Sequence, residues 1–189
     1  MSRVHSRRFA AHQFNPTLAD PHWYGGRFDA TEVDRYGYLY AGADDECAIC
    51  EALLRDVPLE AGGARYLTQA AVADSVLSRL VLSADVSLIS LCDGSDLARL
   101  GQGDNWLVSC PSSEYGYTRR WGHALRRWMP KAEGLVWPSR RDPSKRTYVF
   151  FDDRFSASLV VEEELALDSG AGRERLLDIL QKYWVTFVP

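Results

Sequence analysis

Apolar residues recur along the chain with two different spacings. Some segments have the two-residue spacing of a strand, and others have the three-to-four-residue spacing of a helix. In the run RYGYLYAG, Tyr36, Tyr38 and Tyr40 alternate with Gly37 and Leu39, which predicts a strand with all three rings on one face. The next run, DDECAICEALLRDV, has the apolar spacing of a helix, with one of its first two aspartates as the N-cap. A strand followed directly by a helix is therefore the first predicted unit.

The remainder of the chain adds three more helices and four more strands. The helix-like segments span 68–82, 112–129 and about 172–185, and the strand-like segments span 85–93, 134–139, 146–153 and 158–167. The residues expected on the inward face of the last helix are Leu176, Leu177, Leu180 and Trp184. Because the two kinds of element mix without strict alternation, the pattern favours an α+β fold over a doubly wound parallel sheet.

Length and composition suit a single domain over residues 1–189. The chain is 46% hydrophobic and 25% charged, an ordinary balance for a globular core. A formal net charge of −4 argues against direct binding of nucleic acid, which selects basic surfaces. No apolar run approaches the roughly 18 residues of a membrane span, and no apolar run follows the early positive charges as in a signal peptide. We expect a cytoplasmic protein that does not bind membranes.

Four cysteines raise the question of a metal site. Cys47 and Cys50 form a C-x-x-C pair, but Cys92 and Cys110 do not form a second one, and the four histidines lack metal-ligand spacing. The pair also lies inside an apolar helical run, where thiols pack as small hydrophobic groups. We predict structural packing for these cysteines and no metal ligands.

Glu51 is the most informative single residue. It interrupts the apolar run AICEALL, and a carboxylate in such a position is costly unless it is paired or used. An ion pair with Arg55, four residues later on the same helix, is the structural alternative to a catalytic role. The spacing alone leaves both interpretations open.

Four further residues are candidates for ligand binding, each with a plain structural alternative. Arg27 follows two glycines, which allow close approach of the backbone, and an arginine binds phosphate in a bidentate manner. Arg8 is a second candidate phosphate ligand, or a solvated charge. Tyr40 could stack on a flat heterocycle, or pack in the core. Ser139 could donate to a phosphate or a ribose hydroxyl, or belong to a turn.

Taken in order, these motifs resemble the RES domain toxins of bacterial toxin–antitoxin pairs. The matching pieces are RRF, GGRF, YLYAG, the A-x-x-E-A-L helix, EGLVWPSRRD and TYVFFDD, within a motif-bearing core of about residues 5–155. The resemblance implies a fold similar to the ADP-ribosyltransferase toxins, with mixed or antiparallel sheets and flanking helices. In place of the Trp-Asn that often follows the GGR block, this chain has Phe28-Asp29.

The resemblance also implies an activity and a role for each residue. RES toxins cleave the nicotinamide–ribose bond of NAD⁺ as glycohydrolases or phosphorylases, and some transfer ADP-ribose to proteins. By this resemblance Glu51, Arg27 and Tyr40 are catalytic, and the residues that bind NAD⁺ are Arg8, Arg27, Tyr40, Ser139 and Thr118. Whether Ser139 or Thr118 supplies the active-site hydroxyl stays open.

The partners are implied in the same way. NAD⁺ is the substrate, inorganic phosphate is a candidate co-substrate, and there is no resident cofactor. RES toxins are usually neutralised by a helix-turn-helix antitoxin of the Xre type, so we expect such a partner. The oligomeric state is open, a homo-oligomer included. The alternative of a different class is a catalytically degenerate module that binds a protein through its C-terminal helix.

Overall fold

The computed structural model describes residues 1–58 and 63–189. Its strands are β1 (Ser2–Ser6), β2 (Tyr38–Gly42), β3 (Tyr66–Thr68), β4 (Ser75–Leu82), β5 (Leu88–Ser90), β6 (Gly134–Pro138), β7 (Arg146–Phe151), β8 (Leu159–Ala166) and β9 (Thr186–Val188). Its helices are α1 (Asp45–Ile49), α2 (Gln69–Val72), α3 (Gly94–Arg99), α4 (Trp106–Ser109), α5 (Tyr115–Trp128) and α6 (Gly170–Lys182). A π-helix, Cys50–Leu54, continues α1, and a 3₁₀ turn, Ser112–Glu114, precedes α5.

Seven strands form one mixed sheet in the order β5-β6-β7-β2-β1-β4-β8. β5 and β6 pair in parallel, whereas the other neighbours in this sheet pair antiparallel. β3 and β9 form a separate parallel pair. The architecture confirms the predicted α+β class, with a mixed sheet and flanking helices.

Two apolar clusters hold the helices against the large sheet. The first includes Phe28, Leu125 and Trp137 and joins α5 to the β5-β6-β7-β2 half of the sheet. The second includes Ile49 and Leu180 and joins α1 to α6. Burial of such side chains contributes about 1.5–3 kcal/mol each, so the clusters fix where α1 and α5 lie relative to the sheet. The positions of these two helices define the site described below.

The first predicted strand and helix are present with narrower bounds: the strand begins at Tyr38, so Tyr36 precedes it, and the α-helix ends at Ile49 and continues as the π-helix. The rings of Tyr36, Tyr38 and Tyr40 lie in one row, with centroids 6.4 Å and 5.8 Å apart. Asp44 caps α1, because its carboxylate accepts a hydrogen bond of 2.8 Å from the backbone N–H of Cys47. The helix predicted over 112–129 and the strands predicted at 85–93, 134–139, 146–153 and 158–167 are also present, with narrower bounds.

The helix predicted over residues 68–82 is wrong. Only the short α2 is helical there, and Ser75–Leu82 is β4, which pairs with β1 on one side and β8 on the other. The run SVLSRLVL is rich in branched aliphatic residues and fits a buried strand as well as a helix. The neighbours on both sides decide between them, and they are distant in sequence.

The C-terminal helix is confirmed, but its predicted inward face is partly wrong. Leu176 and Leu180 are buried, whereas Leu177 is 39% exposed and Trp184 is 88% exposed. The helix ends at Lys182, before the predicted 185, and Trp184 has a positive φ of 54° beyond its end. Because the helix stops early, Trp184 leaves the inward stripe and faces solvent.

All four cysteines are free thiols, and Cys47, Cys50 and Cys110 are buried. The thiol of Cys47 donates to the carbonyl of Arg146 at 3.3 Å, so this side chain is part of the packing between α1 and β7. Within residues 1–58 and 63–189, no helix is long and apolar enough to cross a membrane.

Candidate active site

A cavity of about 310 Å³ brings together the three residues predicted to be catalytic, Arg27, Tyr40 and Glu51. Tyr40 comes from β2, Glu51 from the π-helix and Arg27 from the loop before β2. The aromatic side chains of Trp137 and Tyr115 also line the cavity. An apolar cleft of this size with a few charged groups is typical of a small-molecule site.

Glu51 lies in the π-helix, half-buried at the wall of the cavity. π-helical turns are rare and are found frequently at functional sites. One carboxylate oxygen, Oε1, accepts hydrogen bonds from the Ser139 hydroxyl at 2.7 Å and from the Arg140 backbone N–H at 2.8 Å. In the part of the chain that the structure describes, Oε2 accepts none. The carboxylate is thus fixed by one oxygen and can offer the other to a ligand.

The ion pair between Glu51 and Arg55, which the spacing leaves open as the structural alternative, does not form. Arg55 instead donates to the carboxylate of Asp56 at 3.0 Å, and its guanidinium lies against the ring of Tyr115. The turn after β6 provides Glu51 with two donors, so the carboxylate does not need the arginine. The Arg55 pair therefore does not account for Glu51, whose carboxylate is instead bonded to the turn after β6.

Arg27 is only 4% exposed, yet among the described residues no carboxylate lies within 4.0 Å of it. Its guanidinium donates to the carbonyls of Leu107 and Cys110 and to the Cys110 thiol, at 3.0–3.2 Å. The ring of Tyr115 lies 4.6 Å from the guanidinium carbon. These partners orient the cation without neutralising it, and a buried uncompensated charge is costly unless an anion binds there.

The loop that carries Arg27 is held by the first turns of α5. Thr118 donates its hydroxyl proton to the Arg27 carbonyl at 2.7 Å, and Arg119 donates to the carbonyl of Gly26 at 3.1 Å. Gly25 has a φ of +80°, a conformation that favours glycine. A Cβ on Gly26 would lie 2.5 Å from the Asp29 carboxylate. Both glycines are therefore required for this loop to reach the cavity.

Asp29 holds both the glycine loop and Tyr40. One carboxylate oxygen accepts from the Tyr40 hydroxyl at 2.8 Å, and the other accepts from the Gly26 backbone N–H at 2.6 Å. The Tyr40 oxygen also accepts from the Phe28 backbone N–H at 2.9 Å. Burial, reinforced by the Asp29 charge, raises the pKa of Tyr40 well above 10. The phenol is therefore neutral and fully hydrogen-bonded, which leaves its ring as the surface that contacts a ligand.

The other three predicted binding residues lie elsewhere or act indirectly. Arg8 is exposed and lies 3.6 Å from Asp74, so the structure does not bring it to the cavity. Thr118 is fully buried and supports the Arg27 backbone. Ser139 is 1% exposed, and its hydroxyl is committed to Glu51. The two hydroxyl groups are thus positioning groups in this structure, because neither has a free donor that faces the cavity.

Several residues of the site are missed by sequence reasoning: Asp29, Tyr115, Arg119, Trp137 and Arg140. Asp29 carries a readable signal, because it stands where the related motif usually has asparagine. Arg119 and Tyr115 carry none, since a charged and an aromatic residue at the start of a helix are ordinary. Only the packing of α5 against the loop reveals their roles.

The charges that line the cavity have two signs. Arg3, Arg27 and Arg55 contribute positive charge, and Asp29 and Glu51 contribute negative charge. Burial lowers the pKa of Arg3 to about 10, so this side chain is still charged at neutral pH. A cavity of this kind suits a ligand with both a cationic and an anionic group.

The fold is similar to that of a chain in the crystal structure of the M. tuberculosis MbcT–MbcA toxin–antitoxin complex. The match has a TM-score of 0.58 at 13% identity and covers 87% of this chain and 81% of that chain. No curated protein sequence matches the chain. The RES domain model matches residues 1–169, and the chain belongs to the RES domain family. The matched range includes the stretch between 57 and 115, where short motifs alone show no correspondence.

Proposed function

We propose that this protein is the toxin of a toxin–antitoxin pair and that it cleaves the nicotinamide–ribose bond of NAD⁺. The observation that carries the proposal is the Glu51 carboxylate, which Ser139 and the Arg140 backbone hold in the same cavity as the uncompensated charge of Arg27. Membership of the RES domain family and the likeness to a toxin–antitoxin structure support the same conclusion.

The chemistry follows from the charges. The C–N bond between the ribose and the nicotinamide breaks, the electron pair leaves with the nicotinamide, and positive charge develops on the ribose, as in glycoside hydrolysis. An oxygen of water or of inorganic phosphate then bonds to that carbon, and a proton is released when water is the acceptor. The free carboxylate oxygen of Glu51 stabilises the developing charge, either directly or through a ribose hydroxyl.

Arg27 and Tyr40 bind the two halves of the substrate around this bond. Arg27 attracts the pyrophosphate by its uncompensated positive charge, because its terminal nitrogens already donate to acceptors within the protein. The ring of Tyr40 stacks on the nicotinamide, because its hydroxyl is already bonded to Asp29 and to the Phe28 backbone. Tyr40 does not act as a base, because its raised pKa keeps the phenol protonated.

The test is loss of NAD⁺ on addition of purified protein, freed of any bound inhibitor, with and without phosphate. ADP-ribose as the product identifies a glycohydrolase, a phosphorylated ADP-ribose identifies a phosphorylase, and labelled protein identifies ADP-ribosyl transfer. Wild-type protein that leaves NAD⁺ intact in both conditions would contradict the proposal.

Glu51→Gln should lower NAD⁺ turnover by about 10²–10³-fold, the usual cost of losing one group that stabilises transition-state charge. The amide keeps the size of the side chain and can still accept from Ser139, so the melting temperature should change little. Glu162→Gln on β8 is the matched control, because Glu162 is exposed and lies outside the cavity. Equal turnover in the two variants would contradict the role of Glu51.

We also propose a cognate antitoxin as partner, by analogy with the MbcT–MbcA complex. Co-expression with a neighbouring small helix-turn-helix reading frame should yield a stable complex in which NAD⁺ turnover is suppressed. A partner that binds but leaves turnover unchanged would contradict inhibition as its role.

A further inference from the structure

We propose that Arg55 binds the diphosphate of the substrate together with Arg27, and that Asp56 is an internal anion which the diphosphate displaces. This inference rests on the proposed function, because it identifies the part of the cavity that takes the anionic half of the dinucleotide. It assigns a binding role to a residue for which the sequence spacing alone offers an ion pair with Glu51.

Both guanidinium groups lie against the same ring. The guanidinium carbon of Arg27 is 4.6 Å from the centroid of Tyr115, and that of Arg55 is 5.3 Å from it. All three residues line the cavity, and the Tyr115 ring is buried. An aromatic face stabilises a guanidinium by about 0.5–2 kcal/mol and leaves its charge available to an anion. Tyr115 therefore contacts both cations without cancelling the charge of either.

Two cations that line one cavity are stabilised by an anion that binds between them. Arg27 is held by carbonyl groups and a thiol, and its carboxylate neighbours in the described residues all lie beyond 4.0 Å. Arg55 has one such neighbour, Asp56. A diphosphate supplies several oxygens and at least two negative charges. The terminal nitrogens of Arg55 donate to no acceptor in the described residues and can bind these oxygens directly. Those of Arg27 already donate to four acceptors, so Arg27 contributes mainly its positive charge.

Asp56 is the anion that the Arg55 guanidinium binds in this structure, at the edge of the cavity lining. One of its oxygens lies 3.0 Å from Nε of Arg55, and the other lies 3.8 Å from Nη1 of Arg140. The Asp56 side chain is about half exposed, so it can swing into solvent at little cost. Since the backbone N–H of Arg140 binds Glu51, an anion that replaces Asp56 lies next to the loop that positions the carboxylate.

The experiment measures binding of ADP, which carries the diphosphate and has no nicotinamide bond to cleave. Arg55→Gln should weaken ADP binding by about tenfold, the effect of losing one charge-assisted contact. Asp56→Asn should tighten it by about threefold, because the competing internal anion is removed. Adenosine, which has no phosphate, should bind all of the proteins equally. Arg127→Gln is the matched control, because Arg127 is exposed at the far end of α5.

Turnover gives a second readout that a merely structural role would not reproduce. Arg55→Gln should raise the KM for NAD⁺ and leave kcat nearly unchanged, since Arg55 binds the diphosphate away from the bond that breaks. If Arg55→Gln does not fold, as judged by its melting temperature, Arg55→Lys and Asp56→Asn carry the test. Lysine keeps the charge and loses the planar fork, so it should weaken ADP binding less than glutamine does.

The inference is overturned by Arg55→Gln that binds ADP like the wild type, by Asp56→Asn that binds ADP more weakly, or by wild type that does not bind ADP. These results are separable from failure of the proposed function. If ADP binding responds to the substitutions as expected but the protein leaves NAD⁺ intact, the proposed cleavage activity is contradicted and the diphosphate site stands. If the protein cleaves NAD⁺ and Arg55→Gln leaves the KM unchanged, only the diphosphate site is contradicted.

Discussion

Two buried arginines, Arg27 and Arg126, lie in similar surroundings but are compensated in different ways. Both rest against a tyrosine ring, at 4.6 Å from Tyr115 and 3.8 Å from Tyr36, and both are at most 4% exposed. Arg126 forms ion pairs of 2.8 Å with Asp34 and with Asp153. Arg27 has only neutral partners in the described part of the chain.

The difference separates a structural cation from a binding cation. Burial lowers the pKa of Arg126, but hydrogen bonds to Asp153 and Asp34 outweigh burial and raise that pKa above its usual value. Its charge is compensated by two carboxylates of the protein itself. The charge of Arg27 is held in position at the wall of a cavity and is still available to an anion. The lack of a carboxylate partner does not by itself mark a binding cation, because Arg119 is equally buried, has only carbonyl partners in the described residues and supports the glycine loop. Arg27 differs from Arg119 because it lines the cavity, and it differs from Arg126 because its charge is uncompensated.

The largest effect should come from Arg126→Met. Removal of this guanidinium leaves Asp34 without its ion-pair partner and Asp153 with Arg154 at 3.7 Å. Breaking a buried pair costs about 3–5 kcal/mol of unfolding free energy, and because both carboxylates are partly exposed we expect a loss of about 3 kcal/mol. Denaturant unfolding measures the loss, with Arg127→Met, an exposed neighbour on the same helix, as control. NAD⁺ turnover per folded molecule should stay at the wild-type level. A loss no greater than that of the control would mean that the ion pairs contribute nothing.

Arg27→Met should have the opposite profile. The unfolding free energy should fall by about 1 kcal/mol or less, because lost hydrogen bonds are offset by removal of an uncompensated buried charge. The kcat/KM for NAD⁺ should fall by about a hundredfold, since a preorganised positive group at the substrate is lost. If stability fell as far as in Arg126→Met while turnover per folded molecule persisted, Arg27 would be structural and the comparison would fail.

The carboxylate end of the site could be predicted from the sequence because its signals are local. Glu51 stands out within an apolar run, and Asp44 caps the helix that carries it. Tyr40 follows from the alternation in one strand. The arginine end could be predicted only in part. The two glycines before Arg27 mark it as a candidate. The residues that hydrogen-bond to it lie about 80 to 90 positions later, so no local sequence pattern predicts them.

The errors have the same origin. The apolar spacing of Ser75–Leu82 predicts a helix, and its two partner strands, β1 and β8, which make it a strand, lie far away in sequence. Arg8 was expected at the phosphates because it shares a motif with the family, yet the loop after β1 directs it to Asp74 and solvent. Arg55 has the spacing for a pair with Glu51, and only the positions of Tyr115 and of the Ser139 turn show why that pair is not formed.

The smallest predicted effect is a pH dependence that reports on the charge of Arg126. Burial lowers the pKa of His123 below 6.5, Arg126 and Arg119 lower it further, and Asp34 and the backbone of Asp29 oppose them. The unfolded chain therefore binds a proton at a higher pH than the folded chain does. The contribution of neutral His123 to stability is complete above about pH 6.5 and is lost as the pH falls through the folded pKa.

Unfolding free energy measured from about pH 7 to about pH 5 should therefore fall more steeply in the wild type than in His123→Gln. Arg126→Met removes a neighbouring cation that lowers the pKa of His123 and keeps Asp34, which raises it. The pKa of His123 should therefore rise toward its unfolded value. His123→Gln should therefore change the pH slope of unfolding free energy less when it is made in Arg126→Met than when it is made in the wild type. Made in Arg27→Met, it should change the slope as much as in the wild type. If His123→Gln changes the slope equally in both variants, the charge of Arg126 does not affect the pKa of His123. Asp34 and Asp153 would then fully compensate that charge as seen from His123.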